Sequence, residues 1–279
     1  MSTTCRAVWI TPQVGWLDLP GGRFSPDASS SAALAHHGYV AWDSGITAWL
    51  PTQPQDISPD GATYVPNRGS AADIQIADAR TGAVLRDIPA GDYSYILAYT
   101  ATGIYAESSG GYYSVAGLWN IDPSTGTVTQ LQSSSVRVQW AIVDNHVAWG
   151  ISGAGTDMPT VERLDLSTGA MTEVYRESVA LNLVVSGFVG SRVLVLRRDG
   201  KGLLSAFVLG QDGSTVPVAV PQTLYHADVG EGYGILQDGP AILFSGLGYG
   251  LAAYDPGHGL QVLTDAPQGM WLLGRCIAQ

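Results

Sequence analysis

A chain of 279 residues that is 46% hydrophobic and only 13% charged, with 35 Gly and 15 Pro along it, carries too much apolar surface to be disordered. No apolar run nears the roughly 18 residues of a membrane span. With a net charge of −11 and Lys201 the only lysine among 13 basic residues, it lacks the cationic surface that phosphates or anionic bilayers attract, so neither nucleic acid nor membrane is an expected partner.

In chain order, Met1 to Thr4 show neither the charged nor the apolar stretch of a secretory signal. "CRAVWITPQVGWLDLPGGRF" (Cys5 to Phe24) then reads as β-rich, and "YVAWDSGITAWLP" as a shortened hairpin about Asp43 and Gly45. From Ser58 onward two kinds of turn alternate. "SPDGATYV" at Ser58, "TATGIYAE" at Thr100, "VDNHVAWG" at Val143, "VGSRVLVL" at Val189 and "QDGPAILF" at Gln237 each place a short turn before a β-rich run. About 20 residues after each comes an Asp-x-x-x-Gly turn or its counterpart: "DARTG" at Asp78, "DPSTG" at Asp122, "DLSTG" at Asp165, "LGQDG" at Leu209 and "DPGHG" at Asp255.

The stretch "LWNIDPSTGTVTQL" (Leu118 to Leu131) shows the mechanism. Asp122 accepts from backbone amides just ahead of it, Pro123 fixes its own φ, and Gly126 takes the left-handed position that closes the loop. The closing glycines, Gly82, Gly126, Gly169, Gly213 and Gly259, are 44, 43, 44 and 46 residues apart. A period near 44 with four strands per unit is the signature of β-propeller blades.

The expected fold is therefore all-β: a single domain forming a six-bladed β-propeller of four-stranded antiparallel blades. Five blades cover residues 51–90, 91–133, 134–177, 178–221 and 222–265. The sixth combines 266–279, as its inner strand, with outer strands from 1–50, and so closes the ring; if Val8 to Phe24 and the Asp43 hairpin belong to separate blades, the count becomes seven. Closure makes Cys5 and Cys276 neighbours. A disulfide between them, on a loop of about 270 residues, stabilises by ~5 kcal/mol in the chain-entropy account and implies an oxidising, exported setting; two free thiols are the alternative.

"ISPDGATYV" (Ile57 to Val65) resembles the SPDG turn of TolB-like and related WD40-like bacterial propellers, where it joins the first two strands of a blade. "GWLDLPGGRF", "AWLPTQPQDISPDGATYV" and "GRCIAQ" are similar to pieces of exported bacterial six-bladed propellers. TolB-like domains are generally interaction modules. The resemblance implies binding without naming a ligand; the expectation is an extracellular or cell-envelope protein, with its signal segment absent from this chain, that binds a protein, peptide or carbohydrate and is a monomer.

Catalytic patterns are missing from the sequence. There is no S-x-D-x-G-x-T-W box of a sialidase, no G-x-S-x-G elbow, and no His-Glu-x-x-His or Cys-x-x-Cys pair. Asn67, Asn120, Asn145 and Asn182 do not converge as a lactonase-type calcium site would require, and "GLGYG" at Gly246 precedes no helix. No catalytic residue, metal or cofactor is assigned. The variable segments are the loops on the face opposite the regular turns. In them, Tyr112 and Tyr113 offer ring faces to a sugar or peptide, Asp157 lies in "SGAGTDMP", and His226, Asp228 and Glu231 form a group able to bind a cation or exchange a proton. His36 and His37 have metal potential only beside His226. Trp42, Trp119 and Trp149 recur at strand positions as packing residues, and Trp140 and Trp271 fall on inner strands. The expected function is recognition or scaffolding at the loop face, with a hydrolase or lyase at the channel mouth as the alternative.

Overall fold

A computed structural model describes residues 5–10, 13–19, 23–31, 33, 40–66, 73–89, 95–107, 117–133, 137–153, 158–179, 181–199, 202–220, 233–238, 241–246, 250–255, 259–264, 271–272 and 277–278. The structure is built of antiparallel sheets. Strands β1 (Cys5–Ile10), β2 (Val14–Leu19) and β3 (Arg23–Pro26) are followed by a separate hairpin, β4 (Ala41–Asp43) and β5 (Ala48–Leu50). A 3-10 turn over Pro54–Asp56 leads to a three-stranded sheet of β6 (Thr63–Tyr64), β7 (Ile74–Asp78) and β8 (Val84–Ile88). An isolated bridge from Ile57 to Tyr64 extends that sheet at its inner edge.

Four-stranded up-and-down sheets come next. The first is β9 (Tyr95–Thr100), β10 (Gly103–Glu107), β11 (Leu118–Ile121) and β12 (Val128–Gln132); the second is β13 (Val138–Val143), β14 (Val147–Ser152), β15 (Thr160–Asp165) and β16 (Met171–Arg176). The third is β17 (Asn182–Val189), β18 (Arg192–Asp199), β19 (Gly202–Leu209) and β20 (Thr215–Val218), and the fourth is β21 (Tyr233–Asp238), β22 (Ala241–Gly246), β23 (Gly250–Asp255) and β24 (Gly259–Thr264). Last come β25 (Trp271–Leu272) and β26 (Ile277–Ala278), both pairing with β1. Two compact units result, one of residues 1–34 with 181–279, the other of 35–180.

In the first unit, β1 carries β2 on one side and β25 and β26 on the other, with Ile10 opposite Trp271 and Cys5 opposite Ala278. The pairing expected between the terminal segments is present, but the segment 1–50 is divided. The Asp43 hairpin is not in this sheet; it forms its own two-stranded sheet in the other unit. Elsewhere in the first unit, Leu194, Leu196, Ala206, Val208, Val218 and Val220 form a buried cluster against Tyr254 and Leu260, so β18–β20 pack on β23–β24.

In the second unit the side-chain alternation of each strand serves two neighbours at once. Ile104 and Ala106 of β10 pack with Ile74, Ile76 and Ile88 of the preceding sheet, while Tyr105 between them packs with Trp140, Ala148 and Leu164 of the following one. Second strands are accordingly apolar along their length: Val147 to Ile151 of β14 are all buried. Fourth strands such as β16, "MTEVYR", are polar and largely exposed, as an outer edge requires. Trp119, Trp140 and Trp149 are core residues, and Trp42 and Trp49 meet edge to face at 5.3 Å across the hairpin. No described helix is long and apolar enough to cross a membrane.

Candidate functional site

The two ends of the strands differ in chemistry. At one end the turns are self-contained. Asp122 Oδ1 accepts the amides of Ser124 and Thr125 and the Ser124 hydroxyl, and the Gly126 amide donates to the Asp122 carbonyl. Asp78 and Asp165 repeat the arrangement. These bonds to the charged form hold Asp122 and Asp165 down at about 2. In the other unit "LGQDG" closes its turn differently: its Gly213 amide donates to the Gly210 carbonyl, and Asp212 caps Ser214. Every one of these carboxylates is spent on its own turn.

At the opposite end of β9–β16 several carboxylates are buried and reach between strands. Glu162 of β15 is 7% exposed, and its Oε1 accepts the Ser152 hydroxyl at 2.7 Å and the Thr160 hydroxyl at 2.9 Å. The register explains the cluster, because Ser152 stands opposite Thr160 and the two hydroxyls meet beside the carboxylate. Arg176, opposite Thr160, forms a two-pronged pair with Glu173, and that pair, with the field of Glu162 behind it, raises its pKa. Glu177, 2% exposed, accepts the Tyr175 hydroxyl at 3.2 Å and the Ser178 amide at 2.9 Å. Its own amide donates to the Pro159 carbonyl at 3.0 Å.

Glu107, the last residue of β10, completes this end. Its carboxyl accepts the backbone N–H of Trp140 from the innermost strand of the next sheet, and its Oε2 is buried without a hydrogen-bond partner among the described residues. Burial pushes its pKa up to about 7, against the pull of the Trp140 hydrogen bond. A carboxyl that changes charge near neutrality, with an oxygen to spare, can give or take a proton or accept a donor from a ligand. Among the described residues no group of three His, Cys, Asp or Glu is placed to hold a metal.

The loop residues chosen from sequence, Tyr112, Tyr113, Asp157, His226, Asp228 and Glu231, lie outside the described residues, as do His36, His37 and Cys276. Cys5 is described through its backbone, as the first residue of β1. Sequence reasoning passed over Glu107 and Glu162. The available signal was an acid inside or ending an apolar run, "GIYAE" and "TVERL", where a charge needs a partner to be buried.

No protein-family model matches the sequence, nor does any curated protein. Among solved structures, an oligogalacturonate lyase in complex with manganese aligns at a TM-score of 0.52 and 13% identity, over 82% of this chain and 72% of its own. Another oligogalacturonate lyase, from Vibrio parahaemolyticus, aligns at 0.50 and 14% identity, over 76% of this chain and 64% of its own. TolB from Acinetobacter baumannii aligns at 0.51 and 14% identity over 96% of this chain and 68% of its own. The fold is that of a TolB-like β-propeller. Each four-stranded sheet of the TolB-like fold carries the A-B-C-D order read from the sequence repeat, and the alternation of β10 between two neighbours is how adjacent blades share a core.

Proposed function

We propose that this propeller is a recognition module, working outside the cytoplasm or in the cell envelope, that binds a protein, peptide or carbohydrate at the strand ends carrying Glu107 and Glu162. The observation that carries the reading is the contrast between the two ends. The turn carboxylates are saturated by their own backbones, whereas Glu107 keeps a buried oxygen unmatched among the described residues and is followed in sequence by the variable segment "SSGGYYS". The export reading is supported by the TolB likeness and by the placement of cysteines near both termini. The blade count proposed remains six, with β4–β5 as a hairpin outside the blades and β25 joining β1–β3 to close the ring; seven is the count if that hairpin is a partial blade.

Thermal-shift screening of the whole chain against peptides, oligosaccharides and divalent metals tests the reading, since a ligand that binds only the native state raises Tm. A peptide or sugar that raises Tm of the parent and not of Glu107→Gln supports it; shifts that survive both Glu107→Gln and Glu162→Gln overturn the site.

A second reading is favoured by the same carboxyl. A Glu that titrates near 7 is suited to general acid–base work, and two structures of the same fold are oligogalacturonate lyases, one of them holding manganese. Incubation with oligogalacturonate and manganese decides this point: unsaturated product that forms with the parent and not with Glu107→Gln establishes a lyase, and its absence leaves recognition alone.

A further inference from the structure

Asp56 closes the 3-10 turn Pro54–Asp56 and is 5% exposed. Its backbone carbonyl accepts the Val65 amide at 2.9 Å, next to the Ile57–Tyr64 bridge, so the residue lies along the inner edge of the β6–β8 sheet. The turn itself packs on β9 of the following sheet. The carboxyl has one oxygen, Oδ2, 3.3 Å from the Thr52 hydroxyl, and one, Oδ1, with no hydrogen-bond partner among the described residues.

Proton counting at Thr52 decides what Asp56 is. A threonine hydroxyl owns one proton. Thr52, itself fully buried, makes a short hydrogen bond with the Val65 carbonyl, and a carbonyl can only accept. The single proton of Thr52 therefore points at Val65. What Thr52 turns toward Asp56 Oδ2 is a lone pair, and an ionised carboxylate would answer with another. The contact becomes attractive when Asp56 carries the proton.

Among the described residues the surroundings supply no cation to keep the carboxylate charged. On the elements about the turn the titratable groups are Tyr95 and Tyr99 of β9, Tyr64 of β6 and Asp78 of β7, and none of β6, β7 or β9 contains Lys, Arg or His. Burial raises the pKa of Tyr64 and Tyr99, and the negative carboxylates in reach of them, Asp78 and Asp60, push in the same direction. We propose that Asp56 is folded as a neutral carboxylic acid that donates to Thr52, and that loss of this proton is a pH-sensitive latch releasing the Thr52–Val65 segment from β9. The direction of its titration agrees: burial outweighs the backbone hydrogen bond at Gln53 and the contact with Thr52 and lifts it from 3.8 to about 7.

The sign follows. The unfolded chain gives up the Asp56 proton near 3.8 and the folded chain near 7, so the contribution is whole below the lower value and is lost as pH rises to the upper one. The test is a side-chain carbon NMR titration of the whole chain labelled at aspartate, with Asp56→Asn for assignment. A signal that stays neutral at about pH 5.5, where ordinary aspartates are ionised, moves near neutrality and disappears in Asp56→Asn supports the latch. A signal already ionised at that pH overturns it. Asn can donate to Thr52 as the acid does, so Asp56→Asn should also melt no lower than the parent at about pH 8 and show a flatter Tm profile between acid and neutral pH. A variant that loses the same Tm at both ends of the range overturns it as well.

Discussion

The backbone N–H of Ala101 donates to Asn145 Oδ1 at 3.1 Å, tying together two turns whose residues are 44 apart in the chain. That separation is the sequence period itself, so the bond joins equivalent turns of successive sheets. Asn145→Ala removes the acceptor and should lower stability by about 1 kcal/mol, a Tm drop of about 2–4 °C for a chain of this size. Asn145→Asp keeps an acceptor and should lose less; urea unfolding of the three proteins checks the order.

Two turn glycines separate backbone strain from crowding. Gly126 and Gly169 sit at φ of 77° and 71°, where a side chain costs about 1–2 kcal/mol. A Cβ at Gly169 meets nothing, but at Gly126 it would lie 3.3 Å from Arg86 Cδ. Arg86 is held there, because its guanidinium donates to the carbonyls of Ser124 and Thr125. Gly126→Ala should therefore destabilise more than Gly169→Ala in denaturant unfolding.

Acid unfolding should read out the turn aspartates. Asp122 and Asp165 titrate at about 2 when folded, against 3.8 ordinarily. Their contribution is present above the unfolded value and lost as pH falls through the folded one. The Asp122→Asn/Asp165→Asn protein should show a weaker fall in Tm between pH of about 4 and about 2 than the parent.

Glu162 is the common acceptor of two hydroxyls in a nearly closed site. Glu162→Ala leaves Ser152 and Thr160 competing for each other's oxygens and should cost roughly 1–3 kcal/mol. Glu162→Gln retains an acceptor and should cost less. Equal losses in the two variants would mean that the charge of the carboxylate, not its volume or a neutral acceptor, is what the site uses.

The cysteine pair is open to direct chemistry. Cys5 stands opposite Ala278 in the β1–β26 register, which brings β1 beside the strand that immediately follows Cys276. Peptide mapping without reductant should recover Cys5 linked to Cys276, and alkylation of two thiols in the native protein would refute the bond.

What could be read from sequence was what five consecutive residues decide. Asp122 reaches amides two and three positions on, and Gly126 needs only its own φ, so the turns were legible, and their spacing gave the repeat. The split between β1–β3 and the Asp43 hairpin was not, because a hairpin looks the same whichever sheet accepts its edge. The polar end was hidden for a related reason. Glu107 acquires its meaning from the Trp140 amide in another sheet, and Glu162 from a strand register that sets Ser152 against Thr160. Single acids inside apolar strands disturb no period, and their partners are assigned by pairing, not by proximity in the chain.

The sheet that begins with β1 receives β25 from about 260 residues further along the chain, with Ile10 paired to Trp271. Until that contact forms, one side of β1 is an unpaired edge. Such long-range pairing is slow and leaves a template for stray strands meanwhile. Completion of this sheet therefore waits on a distant segment, and a second copy of the chain can compete for the edge in the interval.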